Sequence, residues 1–477
     1  MVDPCLHAAR RASLWALVAL ALGGCPPAAS PAQPPTAPAP AGGSASGRAA
    51  PAEVTTTLAD VSPARVKDVV TKLASFGTRH TLSDPTSATR GIGAARRWIE
   101  GELAAIAVAS GRSGERAMQV AHETYVVPGD GARIPREIEL VNVVAVLPGA
   151  MPEARARRYV VVGHYDSRAT DVMDATSDAP GANDDASGVA VALEAARVMS
   201  KHRWDSTLVF LATAGEEQGL HGAKAHAKAA RAAGLDVRAV LNDDIVGDPS
   251  SPRGGRHANA VRVFSEGIEA SADLAEVRKY ASESDSPSRQ IARFTIEVAD
   301  LHRLDVRPVM VFRPDRFLRG GDHLAFNDAG YPAVRFTTVE ETFERQHQNV
   351  REERGVRYGD QPEHVDATYL AGVTRVNVAT LAHLANAPSP PAEARIVTAD
   401  LAIDTLLRWS RSPEPDVAGY EVVWRASTSS TWTDRRDVGN VTEARLPIGK
   451  DDVFFGLRAY DRDGYVSPVV FARAAPR

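Results

Sequence analysis

The stretch YVVVGHYDSRATDVMDATSDAPGANDDASG, Tyr159 to Gly188, decides how the rest of the chain is read. It opens on an apolar, β-branched run, Tyr159 to Val162, which stops at Gly163 and is followed at once by His164 and Asp166. A run of that kind bounded by glycine predicts a buried strand, and it places the two polar side chains at the strand's carboxyl end. Asn183-Asp184-Asp185 closes the polar loop just before a helical pattern of Val189, Val191, Leu193, Ala196 and Val198. Open α/β sheets bind ligands at the carboxyl ends of their strands. The loop therefore carries candidate metal ligands at both shoulders.

The same order of elements repeats downstream. Ser206 to Thr213 predicts a second buried strand, running into Ala214-Gly215-Glu216-Glu217, and Val237 to Leu241 a third, running into Asn242-Asp243-Asp244. Helices are expected over 188–199 and from Leu220 onward. This alternation predicts an α/β fold, a mostly parallel (mixed) sheet with helices on both faces. Upstream, Ser62-Pro63 marks a helix start, a second helix is expected over 88–108, and Thr124 to Val127 and Leu140 to Leu147 read as strands. Downstream, Val261 to Phe264, Phe294 to Val298 and Ala333 to Thr337 read as strands, and Tyr369 to Leu384 as a closing helix.

At 477 residues the chain is long enough for two domains, and a net charge of -5 with no basic stripe excludes nucleic acid as a partner. Residues 59–388 form the expected main domain. Past Pro388, Pro390 and Pro391 the texture changes to short alternating segments, which predict a β-sandwich over 396–477. At the other end, Arg10, Arg11 and the apolar run from Leu14 to Leu22 read as a signal peptide over 1–24. Leu22-Gly23-Gly24-Cys25 resembles a bacterial lipobox. The expectation is an exported envelope lipoprotein, a monomer anchored only through a lipidated Cys25, with a Pro/Ala/Gly-rich tether over 25–58. Cys5 leaves with the signal and Cys25 takes the lipid, so no structural disulfide, cysteine nucleophile or thiolate metal site is expected.

Any metal must then be held by His, Asp and Glu. Singly, each candidate has a plain account: an Asp before a helix caps it, a Glu-Glu pair is solvated, a lone His is structural. Together, His164, Asp184-Asp185, Glu216-Glu217, Asp243-Asp244 and His323 have the composition of an oxygen-rich, imidazole-containing site for two metals. Adjacent residues of an extended segment point to opposite sides, so one glutamate of Glu216-Glu217 serves a metal while its neighbour faces substrate.

His164-Tyr165-Asp166-Ser167, Gly181 to Gly188, Ala214 to Gly219, Asn242 to Gly247 and Gly321-Asp322-His323 follow the order found in two-zinc peptidases of the aminopeptidase Y and aminopeptidase S type, clan MH, which the chain resembles. The resemblance covers roughly Val61 to Asn386. It implies a zinc-exopeptidase (phosphorylase/hydrolase-like) fold and two Zn2+, one on His164 and Asp244, the other on Glu217 and His323, with Asp184 bridging. It implies that Asp166 orients His164 and that Glu216 is the general base, taking a proton from the attacking water and passing it to the leaving amine. The substrates implied are peptide or protein N-termini. Leu407-Arg408-Trp409, Asp416 to Val422 and Ala459-Tyr460-Asp461 resemble a fibronectin type III domain. HExxH and GxSxG are absent. The alternatives are a carboxypeptidase or a glutaminyl-cyclase-like enzyme on the same sheet, and an inert surface binding protein.

Overall fold

In the computed structural model, which describes residues 49–317, 319–399 and 402–475, the apolar runs lie inside one eight-stranded sheet. Its strands are β1 (Gln119–Val127), β2 (Ile138–Leu147), β3 (Arg157–His164), β4 (Thr207–Thr213), β5 (Asp236–Asp243), β6 (Ala260–Ser265), β7 (Arg307–Val311) and β8 (Ala333–Thr337). They are ordered β1-β2-β4-β3-β5-β8-β6-β7. β4, β3, β5 and β8 run parallel at the centre, and β2 and β6 flank them antiparallel. The sheet is thus mixed with a parallel core, as expected.

Burial on both faces explains the unbroken hydrophobic runs. Tyr159 and Val161 of β3, with Leu208 and Phe210 of β4, enter the larger core. Its other side is formed by α1 (Ala52–Ala59), α2 (Pro63–Ala74), α3 (Gly91–Ala109) and α4 (Ala186–Met199). Val160, Val162, Val209 and Leu211 point the opposite way, toward α5 (His221–Ala232). After α6 (Leu274–Tyr280) and α7 (Pro287–Leu301), α8 (Asp322–Asp328) joins α5 on that second face, and α9 (Ala367–Asn386) returns to the first.

Two expectations are corrected here. Phe294 to Val298 is not a strand but part of α7, where Ser286 caps the helix by accepting the Arg289 N–H and Pro287 follows at the first helical position. Ile291, Phe294 and Val298 are buried at helical spacing, a pattern that a short apolar run alone does not separate from a strand. The tether expected over 25–58 ends earlier, because α1 forms at Ala52 and buries Val54 and Leu58. The signal peptide, Cys25 and the tether up to residue 48 lie outside the described residues. Among the described residues no helix is long and apolar enough to cross a membrane.

A small hairpin, β9 (Arg351–Glu353) and β10 (Val356–Tyr358), precedes α9. Beyond α9 come β11 (Ala392–Val397), β12 (Thr405–Ser410), β13 (Val417–Ala426), β14 (Asp434–Gly439), β15 (Glu443–Leu446), β16 (Val453–Asp461), β17 (Val470–Phe471) and β18 (Arg473–Ala474). They form two four-stranded sheets, β15-β12-β11-β18 and β14-β13-β16-β17, around their own cluster of Leu407, Trp409, Tyr420, Val422, Phe455 and Leu457. The first strand begins at Ala392 rather than at 396.

These sheets are locked onto the main domain through α7. The buried Asp285 carboxylate meets Arg293 Nη1 at 2.9 Å and Arg425 Nη2 of β13 at 2.7 Å. Trp432 Nε1 donates to Gln290 Oε1 at 2.9 Å. Removing one member of a buried ionic set strands the others without a counter-charge, at a cost of about 3–5 kcal/mol. Asp285→Ala is therefore expected to lower unfolding stability by about that amount. Urea denaturation checks it, and a loss below about 1 kcal/mol would show that Asp285 does not brace the joint.

Candidate metal centre

The four parallel strands all end on one side of the sheet, and each end leads to a polar group. β3 ends on His164 itself. β4 ends at Thr213, three residues before Glu216-Glu217; β5 ends at Asp243, next to Asp244; and the loop after β8 carries Glu340, Glu341 and His347. The loop between β3 and α4 adds Asp184, while Asp185 caps α4 by accepting the Gly188 N–H at 2.8 Å. The Asp184–Asp185 peptide bond is cis.

Two sets of donor atoms result. In one, His164, Glu216 and Asp244 place ligand atoms within 4.8 Å of one another, and in the other Asp184, Glu217 and His347 do so. Asp184 links them. Its Oδ1 lies 3.2 Å from His164 Nε2 and its Oδ2 lies 2.9 Å from His347 Nε2, which is itself 3.1 Å from Glu217 Oε1. Each carboxylate oxygen of Asp184 thus faces a different set.

The supports behind these groups are specific. Arg335, fully buried on β8, holds Asp244 Oδ1 at 2.8 Å and Asp315 Oδ2 at 3.1 Å, which leaves Asp244 Oδ2 facing His164 Nε2 at 4.0 Å. Asp360 accepts the N–H groups of Asn183 and Asp184 at 2.8 and 2.7 Å. Burial pushes its carboxyl up to about 7. Arg79, also fully buried, donates to the carbonyls of Tyr165 at 2.7 Å and Gly181 at 2.9 Å and so ties the two ends of the β3–α4 loop together. Asp166 accepts the N–H of Glu216 at 3.3 Å on one oxygen and that of Glu217 at 3.2 Å on the other. It does face His164, but the nearer partner of His164 Nδ1 is the Asp166 backbone carbonyl at 3.2 Å, with the side chain at 3.5 Å. Asp166 positions both glutamates as well as the imidazole.

The chemistry of this donor set fits divalent cations. His164 Nε2 and Glu217 Oε1 are buried, and their nearest polar neighbours, Asp184 Oδ1 at 3.2 Å and His347 Nε2 at 3.1 Å, are themselves candidate ligands, so a cation between them would satisfy all four. Burial raises the pKa of Glu216 well above its ordinary value, helped by Asp244 and Glu217 and opposed by His164. Burial works against a charged His347, yet Glu217 and Asp184 hold its pKa up at about 10. Crowded carboxylates call for positive charge at these positions, and in the absence of metal the imidazoles supply it as protons. Asp184, Glu216, Glu217 and Asp244 are four carboxylates, whose charge two divalent cations cancel.

Of the residues expected in the site, the structure brings together His164, Asp184, Glu216, Glu217 and Asp244, with Asp166 behind them. Asp243 points away, its Oδ1 accepting from Asn377 Nδ2 of α9 at 2.8 Å. His323 is the correction. It is fully buried at the start of α8, with Nε2 2.8 Å from the Pro314 carbonyl and Nδ1 3.3 Å from Asn242 Oδ1, and it joins neither donor set. Burial lowers its pKa, which suits a neutral structural histidine. The second imidazole is His347, whose sequence setting admits a near-site group but fits a solvated surface better, and whose side chain is only 31 % exposed. Its φ of +54° is left-handed, a conformation uncommon for residues other than glycine, though histidine adopts it more readily than most.

The model of peptidase family M28 matches residues 142–380, the span that contains the central strands, both donor sets and α9. A "Probable zinc metalloprotease" of Leptosphaeria maculans is 46% identical over 422 residues, covering 88% of this chain and 96% of that protein. The chain belongs to peptidase family M28. A second relative, a "Probable zinc metalloprotease" of Pyricularia oryzae, is 46% identical over 426 residues, 87% of this chain and 84% of its own length. Among solved structures, LapB of Legionella pneumophila aligns with 18% identity and a TM-score of 0.49 over 70% of this chain and 75% of its own.

Proposed function

We propose that this M28 protein is a zinc-dependent peptidase with a two-metal centre, and that it acts as an aminopeptidase on the N-terminal bond of peptides. The observation that carries this reading is the pair of donor sets joined by the two oxygens of Asp184. His164, Asp244 and one oxygen of Asp184 suit one zinc; Glu217, His347 and the other oxygen suit the second. Zinc in such a site supplies Lewis acidity, polarising a carbonyl and making water acidic enough to attack near neutral pH.

Glu216 is then the carboxylate left over. It is half-buried where Glu217 is buried, so it borders the cleft, and Asp166 fixes its backbone N–H. Glu216 takes the proton of the attacking water and returns it to the leaving amine. The recess beside Asp184 is lined by five carboxyl side chains, Asp184, Asp248, Glu340, Glu341 and Asp360, of which Asp248 pairs with Arg345, Glu340 with Arg253, and Glu341 with Arg316 and Arg319. Among the described residues Asp184 and Asp360 have no arginine partner, so the recess keeps an acidic edge, which supports recognition of a free amino terminus. We also read the two C-terminal sheets as a fibronectin type III-like module.

Chelation is expected to abolish hydrolysis and added zinc to restore it. His164 and His347 bind protons where the metals bind, so chelator stripping should quicken as the pH falls from 8 toward 5. Peptides with a free N-terminus should be cleaved and their N-acetylated counterparts spared. Equal rates on both would overturn the aminopeptidase assignment.

A further inference from the structure

The cationic groups around the centre are unevenly committed. Arg335 closes on Asp244 and Asp315, Arg345 on Asp248, Arg316 and Arg319 on Glu341, and Arg79 on backbone carbonyls. Arg168 differs. It follows Asp166-Ser167 at the mouth of the loop, with its side chain 16 % exposed and Nε 4.0 Å from Glu217 Oε2, beyond hydrogen-bond distance. Among the described residues its guanidinium donates only to the nearby carbonyls of Ala169 at 3.3 Å and Thr170 at 3.2 Å.

Two further features make this a built position. Thr170 N–H donates to Asn349 Oδ1 at 2.9 Å and Asn349 N–H donates to Thr170 Oγ1 at 3.0 Å, which pins the Arg168 turn to the segment bearing His347. Arg133 adds a second guanidinium on the same side, its Nη1 donating to the Glu217 carbonyl at 2.9 Å. Carboxyl groups line the recess beside Asp184, and two arginines stand beside Glu217.

We propose that Arg168 is a specificity-determining residue that receives a substrate carboxylate about one residue from the cleaved bond. The proposal rests on the peptidase reading above. A guanidinium fork matches a carboxylate in two parallel hydrogen bonds. Successive Cα atoms are about 3.8 Å apart, so a fork 4.0 Å from Glu217 reaches a residue adjoining the cleaved bond and not far beyond it; with the amino terminus taken by the recess beside Asp184, that residue is the one after the bond. Two sources present that chemistry: the free C-terminus of a dipeptide, and an acidic side chain following the bond in a longer peptide.

The test uses the zinc-loaded full chain and its Arg168→Gln and Arg168→Lys variants. One substrate pair is a dipeptide and its C-terminal amide; the other is two tripeptide amides with Glu or Gln after the cleaved bond. The wild type should favour the carboxylate member by about 10- to 100-fold in kcat/KM, mostly through KM. Arg168→Gln should bring that ratio to within about threefold, with Arg168→Lys between, at unchanged zinc content. Preference confined to the dipeptide pair assigns the C-terminal carboxylate, and preference confined to the tripeptide pair assigns the side chain; both support the proposal. Peptide cleavage without a carboxylate preference overturns the proposal alone, as does a preference that survives Arg168→Gln. Zinc loss from Arg168→Gln with a uniform loss on all four substrates also overturns it. No cleavage of any peptide overturns the peptidase reading and this proposal with it.

Discussion

Glu216→Gln is expected to lower kcat by about 10²- to 10⁴-fold while zinc content and fold stay as in the wild type. The amide keeps the size of the carboxylate but has no basic oxygen to take a proton. Glu216 is the one acidic member of the two sets that stays half-exposed at the cleft once Asp184, Glu217 and Asp244 are assigned to metals. Its backbone is fixed through Asp166, so the substitution should change chemistry rather than position. KM should move little, because the group acts on the proton in flight rather than on the bound peptide. Steady-state kinetics on a free-N-terminal peptide, paired with metal analysis, read both quantities. Activity within threefold of wild type would remove Glu216 from its role.

His347→Ala and His323→Ala should separate sharply, although both residues are histidines after a glycine- or glutamate-rich segment. His347→Ala removes the sole imidazole of the set that contains Glu217, so affinity for one zinc should fall by more than about 100-fold, taking activity with it. His323→Ala should keep both zinc ions. It opens a buried polar pocket between the Pro314 carbonyl and Asn242, and its effect should appear in thermal stability instead. Zinc binding by competition with a chromophoric chelator, alongside melting curves, distinguishes the two patterns. The reverse pattern would restore His323 to the centre.

How far these roles were legible in the sequence follows from what is local and what is not. The parallel strands were legible because burial on both faces leaves a continuous apolar run, and the groups just past each run fall at a strand end wherever the strand sits in the sheet. That places His164, Glu216-Glu217 and Asp244 without knowledge of the strand order. Resemblance to the family pattern is what separates Asp184 from Asp185 in the sequence; in the structure Asp185 caps a helix and Asp184 faces the imidazoles.

His347 was not legible in the same way. It lies in an irregular segment past the end of β8, and its partners Asp184 and Glu217 are more than a hundred residues away in sequence. Gly321-Asp322-His323 offered a nearer histidine in a more conspicuous setting. One signal did exist. Three parallel strands each supply groups at their carboxyl ends, and the fourth, Ala333 to Thr337, leads by the same logic into the segment that carries Glu340 and His347. Phe294 to Val298 failed for a different reason, since five apolar-rich residues fit either period until Ser286-Pro287 is read as a helix start.

The most direct test of the two-metal centre is an anomalous difference map collected at the zinc edge from a crystal of the zinc-loaded full chain. Two peaks are expected, one beside His164 and Asp244 and one beside Glu217 and His347, with Asp184 between them. A single peak, or a peak at His323, would contradict the assignment.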